Sequence, residues 1–280
     1  SVVDMEVPEG LPAPHRGGIF PFPPEVLKTV IRVREIAHRG WAGQAPENTR
    51  AAFGSALEGP LACLADGMEC DLQLSRDGRV VVMHDISLGR TSYGAGFVGD
   101  HTWKELSSFD IGSFFGPEFA GERIMLFREL LGMVDGRKFL CLELKNPGNI
   151  FPDMLDRVLE DLHGYPRSKF MAESFNHPMM KDLHERDVSI QTGLIFHDEV
   201  NMLPQQCSFA GCRWASLAWT MADPGLLSSL MSRGVSVVYW TVNEEWQRRW
   251  VMERLSGCRG EVWVATDIPG MASGKSPVPQ

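Results

Sequence analysis

The chain has 280 residues, 44% of them hydrophobic and 22% charged. This is enough apolar material for a sizeable core, and the charge content is that of a globular chain rather than a disordered one. The formal net charge of −9 argues against a non-specific nucleic-acid binder, although a few local cations and a metal ion still let one cleft hold an anionic substrate.

In chain order, residues 1–30 open with a Pro- and Gly-rich stretch without hydrophobic period and read as an extended N-terminal arm. From there short apolar runs alternate with longer helical patterns, which is the signature of βα units. The expected strands are 34–38, 67–74, 139–145, 169–175, 189–196, 213–219, 235–242 and 262–266. The run Val80–Asp85 looks like an extension of the second strand, joined to it by the turn Arg76-Asp77-Gly78. Helices are expected over 48–58, 151–163, 177–186, 223–233 and 244–255. Asp223-Pro224 is a good N-cap and first-turn pair, and Gly234 and Gly257 are helix stops. Eight strands with interleaved helices predict a (β/α)8 TIM barrel over residues 31–271, with its chemistry at the C-terminal ends of the strands. Residues 86–135 interrupt the alternation. They read as a short loop-rich insertion after the second strand, too short to hold much core of its own. Residues 272–280 read as a C-terminal tail.

No apolar run approaches the roughly 20 residues that span a bilayer, so no transmembrane segment is expected. The six cysteines include no CxxC pair, which gives a zinc ribbon little support. Cys70 and Cys141 sit inside strands as small core residues. Cys207 and Cys212 are close enough in sequence to pair across a loop, though spaced cysteines are commonly free. A cytoplasmic location is expected, with secreted or membrane-peripheral placement left open.

The chemistry concentrates between residues 36 and 145. Strand side chains alternate faces, so Glu69 and Asp71 point the same way. Two such carboxylates repel each other, and burial would raise at least one pKa. Either a divalent cation relieves this, or one carboxylate pairs with a basic side chain and the other faces water. Glu143 and Lys145 share a face by the same alternation, within the apolar run Leu140–Leu144. Glu143 would complete a three-carboxylate set whose hard oxygens suit Mg2+, Ca2+ or Mn2+ better than zinc. His38 and Arg39 end the first strand before Gly40, and His84 and Asp85 end the Val80–Asp85 run. Histidine is the natural acid/base near neutral pH, and a guanidinium beside it docks a phosphate in bidentate fashion.

The ordered set His38-Arg39-Gly40, Pro46-Glu47-Asn48-Thr49, Glu69-x-Asp71, Asp77-Gly78, Val81-Val82-x-His84-Asp85 and Arg90-Thr91 resembles the glycerophosphodiester phosphodiesterase family. The likeness continues through Glu143-Leu144-Lys145, Trp240-Thr241-Val242-Asn243 and Thr266-Asp267-x-Pro269. It implies a metal-dependent TIM barrel that hydrolyses glycerophosphodiesters, such as glycerophosphocholine, to glycerol 3-phosphate and an alcohol. By position it implies that Glu69, Asp71 and Glu143 hold a divalent metal ion (Mg2+ or Ca2+) and that His38 and His84 are the acid/base pair. Arg39 and Lys145 then hold the phosphate, and Glu47 lies near the site. Trp240 is either an apolar wall over the substrate or a core aromatic of the barrel. The alternative is a phospholipase D-like lyase acting on lysophospholipids to give a cyclic phosphate. The run Gly121–Leu131 departs from the family, which usually carries a Pro and an acidic residue near Met125 and Arg128. That bears on specificity rather than catalysis. Trp246 and Trp250, four residues apart with basic residues between them, fit either a membrane-surface helix or a stripe packed on the barrel. His197-Asp198 ends the fifth strand with no matching role.

Overall fold

The computed structural model describes residues 30–271. The expected arm and the 272–280 tail lie outside these residues, apart from Val30, which opens the first strand.

The eight barrel strands are β1 (Val30–Ala37), β2 (Gly67–Leu74), β5 (Phe139–Leu144), β6 (Phe170–Ser174), β7 (Gln191–Phe196), β8 (Trp214–Ala218), β9 (Ser236–Trp240) and β10 (Arg259–Thr266). Each pairs in parallel with the next, and β1 pairs with both β10 and β2, so the sheet closes on itself as a TIM barrel. Two further strands, β3 (Val80–Val82) and β4 (Met125–Leu126), add an antiparallel flap to β2. The helices are α1 (Arg50–Leu57), α2 (Trp103–Leu106), α3 (Phe127–Val134), α4 (Met154–Asp161), α5 (His177–Arg186), α6 (Leu203–Phe209), α7 (Pro224–Met231) and α8 (Glu245–Arg254). The expected cap of α7 forms, with Asp223 accepting from the Leu226 N–H, and Thr49 caps α1.

β1 and β10 start earlier than the apolar runs suggest. Their first halves pair in register from Val30 with Arg259 onward. The charges that hide these strands in the sequence are matched across them, with Glu261 2.9 Å from Arg34 and 3.5 Å from Arg32.

Residues 86–135 differ from expectation in two ways. Phe127–Val134 is not loop but α3, the helix that follows the second barrel strand, and Phe127, Leu130, Leu131 and Val134 are buried in the main core. The remainder does hold a small core, in which Leu88, Val98, Leu106, Ile111 and Ile124 close over Val81 and Met83 of the flap. Its apolar residues are too widely spaced to show a period, so only tertiary closure gathers them. The run 80–85 likewise does not continue β2. It reverses through the Ser75–Arg79 turn and returns along β2, with Val82 opposite Leu72.

All six cysteines are free thiols. No helix of the described residues is long and apolar enough to cross a membrane. Trp246 and Trp250 are half exposed, and both meet Trp219 edge-on.

Because α3 belongs to the barrel, Phe127→Ala should lower the unfolding free energy by about 3–5 kcal/mol. Urea denaturation followed by circular dichroism measures this, and an unchanged midpoint would detach α3 from the core.

Candidate active site

Glu69 and Asp71 project from β2, and β5 sets Glu143 in register opposite Asp71. One oxygen from each of the three lies within 4.8 Å of the others. The alternation read from the sequence therefore brings these three side chains together. Glu69 and Asp71 are buried and Glu143 is half-buried; Glu69 Oε1 has no hydrogen-bond partner, and Asp71 Oδ1 faces the Lys145 ammonium. Burial pushes the Glu69 carboxyl well above its ordinary pKa, and repulsion from Asp71 and Glu143 adds to it. Glu143 is also raised, by burial first and then by Asp71, against the pull of Lys145. Asp71 is equally buried but is held below the usual carboxylate range, because Lys145, Arg39, His84 and the Asn48 amide outweigh burial. Mutually repelling hard oxygens, with Glu69 Oε1 orphaned among them, fit a divalent cation.

The cations on the site are fixed by this charge. Lys145 Nζ lies 2.5 Å from Glu143 and 3.2 Å from Asp71. Arg39 is held at both ends. Its backbone N–H donates to Glu69 over 2.9 Å, its Nη1 donates to Glu47 over 2.8 Å, and its Nε is 3.4 Å from Asp71. The sharp turn that permits this places Arg39 at φ 56° and Gly40 at φ 75°. A Cβ on Gly40 would sit 2.5 Å from the Ala52 carbonyl carbon, so only glycine fits. Asn48 closes the turn. Its backbone N–H donates to the Arg39 carbonyl, and its amide donates to Asp71 over 2.7 Å.

Each histidine is backed by its own carboxylate. His38 Nδ1 is 2.7 Å from Asp267, leaving Nε2 turned toward the carboxylates at 3.9 Å from Glu69. Asp267 is oriented by Asn243, which donates from its amide over 2.6 Å and accepts from the Asp267 N–H over 2.8 Å. His84 Nδ1 is 2.6 Å from Asp85. Burial would raise the Asp85 pKa, but bonds from Arg90 and His84 bring it down to about 2. The returning flap is what carries His84 back over β2. The Met83 N–H donates to the Asp71 carbonyl, and the buried Gln73 amide bonds the carbonyls of Met83, His84 and Asp85. Burial lowers the His84 pKa, with Lys145 and Arg39 acting in the same direction against Asp71.

His38, Arg39, Glu69, His84, Glu143, Lys145 and Trp240 line one cavity of about 240 Å3 inside the barrel mouth. Asp71 and Glu47 stand behind this wall. Trp240 faces this cavity and packs against the interior cluster. Phe175 and His197 sit 5.9 Å from its ring. Asn48, Asp85, Arg90, Asn243 and Asp267 lie inside the motifs, but their spacing alone assigns them no role. Arg90 ties the two halves together, donating to both Glu47 and Asp85. Glu173 and Ser216, also on the cavity wall, went unread. A carboxylate inside the apolar run Phe170–Ser174 was the available signal, by the same argument that found Glu143.

The Glycerophosphoryl diester phosphodiesterase family model matches residues 38–271. A glycerophosphodiester phosphodiesterase of Caldanaerobacter subterraneus subsp. tengcongensis is 32% identical over 256 residues, covering 87% of this chain and 96% of the relative. A phosphodiesterase of Oleispira antarctica, solved in complex with the product sn-glycerol-3-phosphate, superposes with a TM-score of 0.76 at 26% identity, covering 86% of this chain and 95% of that one. A putative glycerophosphodiester phosphodiesterase of Galdieria sulphuraria shares the fold, with a TM-score of 0.75 at 19% identity over 88% of this chain and 98% of that one. The matched stretch runs from His38 at the head of the site to Met271 beyond the last strand, and the chain belongs to the glycerophosphoryl diester phosphodiesterase family.

Proposed function

We propose that the barrel over residues 31–271 hydrolyses glycerophosphodiesters to glycerol 3-phosphate and an alcohol, with His38 and His84 as the acid/base pair. The observation that carries this reading is the arrangement of two imidazoles, each backed by a carboxylate, around a buried carboxylate trio with two cations. Glu69, Asp71 and Glu143 would hold a divalent ion, Mg2+ or Ca2+ by the hardness of their oxygens. When bound, that ion supplies Lewis-acid stabilisation of charge on the phosphoryl oxygens.

The chain's own groups perform the remaining steps. Arg39 and Lys145 dock the phosphate and neutralise charge that grows on it. Asp267 and Asp85 hold the Nδ1–H of their imidazoles, which leaves each Nε2 free to exchange a proton. One histidine takes the proton of the attacking hydroxyl, and the other protonates the departing alkoxide. Each transfer is worth roughly 10²–10⁴ in rate. In the form we favour, the glycerol 2-hydroxyl attacks phosphorus and expels the alcohol, and water then opens the resulting cyclic phosphate. The lyase alternative, which would stop at the cyclic product, gains no support from relatives that carry phosphodiesterase names or from the sn-glycerol-3-phosphate held by the Oleispira protein.

With glycerophosphocholine as substrate, His38→Ala and His84→Ala should each lower kcat by at least about 100-fold while the urea midpoint stays near wild type. Wild-type turnover in either variant would remove that residue from the mechanism.

Chelation should abolish turnover, and Mg2+ or Ca2+ should restore it. Binding gives a readout independent of activity, because an ion that binds the folded state alone raises the melting temperature as its concentration exceeds its Kd. That rise should vanish in Asp71→Asn and Glu143→Gln. An equal rise in those variants would place the ion elsewhere.

A further inference from the structure

The cavity has a second polar end, away from the carboxylate trio. The barrel interior is plugged by an apolar cluster that includes Cys141, Met171, Trp214 and Val238. One pleat step above this plug, β6 presents Glu173 and β8 presents Ser216, both almost fully buried. The Ser216 hydroxyl donates to one oxygen of Glu173. No group among the described residues pairs with the other oxygen, and Glu173 faces the cavity. Gly193 on the strand between them leaves the room. A Cβ there would come within 3.0 Å of the Trp214 Cβ and 3.3 Å of the Glu173 Cβ. The indole Nε1 of Trp240, on the same cavity, is buried without a partner.

A buried indole N–H without a partner is costly unless something binds it, and the second Glu173 oxygen opens onto the same cavity. Glu173 stands outside the set of oxygens suited to a metal ion. The free oxygen of Glu173 can accept and the indole N–H of Trp240 can donate, and an alcohol hydroxyl answers both.

We infer that Glu173, Ser216 and the Trp240 indole N–H form a hydroxyl-recognition subsite for the terminal C1 hydroxyl of the glycerol moiety. The inference rests on the phosphodiesterase reading above. It orients the three-carbon unit into the barrel, with the C2 hydroxyl turned toward the histidines. The leaving alcohol then exits toward the open groove of about 1250 Å3 that shares His84, Lys145 and Phe175 with the site.

The test compares glycerophosphocholine with its 1-deoxy analogue, the phosphocholine diester of propane-1,2-diol. The analogue keeps the C2 hydroxyl and lacks only C1–OH. Wild type should prefer the parent by on the order of 100-fold in kcat/KM, because a site built to bond a hydroxyl rejects the analogue without it. Glu173→Leu should reduce that ratio to a few-fold, and Ser216→Ala should reduce it by about tenfold. Glu173→Gln, which keeps a donor and an acceptor, should retain most of it. An unchanged ratio in Glu173→Leu overturns the inference. If Glu173→Leu does not fold, Ser216→Ala decides alone, and a wild-type ratio there overturns the inference. Calorimetric Kd values for sn-glycerol 3-phosphate and 1-deoxyglycerol 3-phosphate read the same contact without turnover. A protein inactive on both diesters that still prefers sn-glycerol 3-phosphate refutes the phosphodiesterase reading and supports the subsite, and equal Kd values refute the subsite.

Discussion

Three carboxylates brought within 4.8 Å of one another inside a barrel set the terms for everything around them. Such a cluster folds only if its charge is offset, and the surrounding sequence supplies the offset in a definite order. Lys145 comes from the same strand as Glu143, two residues on. Arg39 comes from the turn after β1 and bonds through both backbone and side chain. Asn48 contributes an amide that meets Asp71 twice. One orphaned oxygen, Glu69 Oε1, remains at the centre, and the cluster could take a further cation.

The flap after β2 solves a separate problem. A barrel strand delivers one or two side chains to the mouth, and β2 has already spent its positions on Glu69 and Asp71. Reversing the chain through Ser75–Arg79 brings His84 and Asp85 back to the level of Asp71 without using another barrel strand. Gln73 anchors the returning backbone through three carbonyls. Arg90, from the insertion, then joins Asp85 to Glu47 and through it to Arg39. The insertion's small core under Leu106 and Ile111 gives this joint a rigid base. The insertion therefore supports the His84–Asp85 pair as well as bordering the mouth.

Much of this was legible in the sequence, and particular residues show why. The period of two on β2 and β5 put Glu69 with Asp71 and Glu143 with Lys145 on common faces, and the barrel placed them together. Helix caps such as Asp223 were readable because their chemistry is local. α3 was missed because its amphipathic stretch follows a loop-rich run whose apolar residues have no period. The first turns of β1 and β10 were missed because Arg32, Arg34 and Glu261 look like solvent residues until the strands are side by side.

By itself the sequence determined the strand order, the carboxylates' shared faces and the motif set that marks the family, because these depend on neighbours a few residues apart. The tertiary structure alone decided which partner His38 takes. Asp267 reaches His38 across 229 residues, a distance that only barrel closure between β1 and β10 removes. It also decided that Glu173 and Ser216, 43 residues apart on strands that are not neighbours, meet across an interior glycine. A side chain's face follows from local geometry, but its partner follows from how the sheet closes.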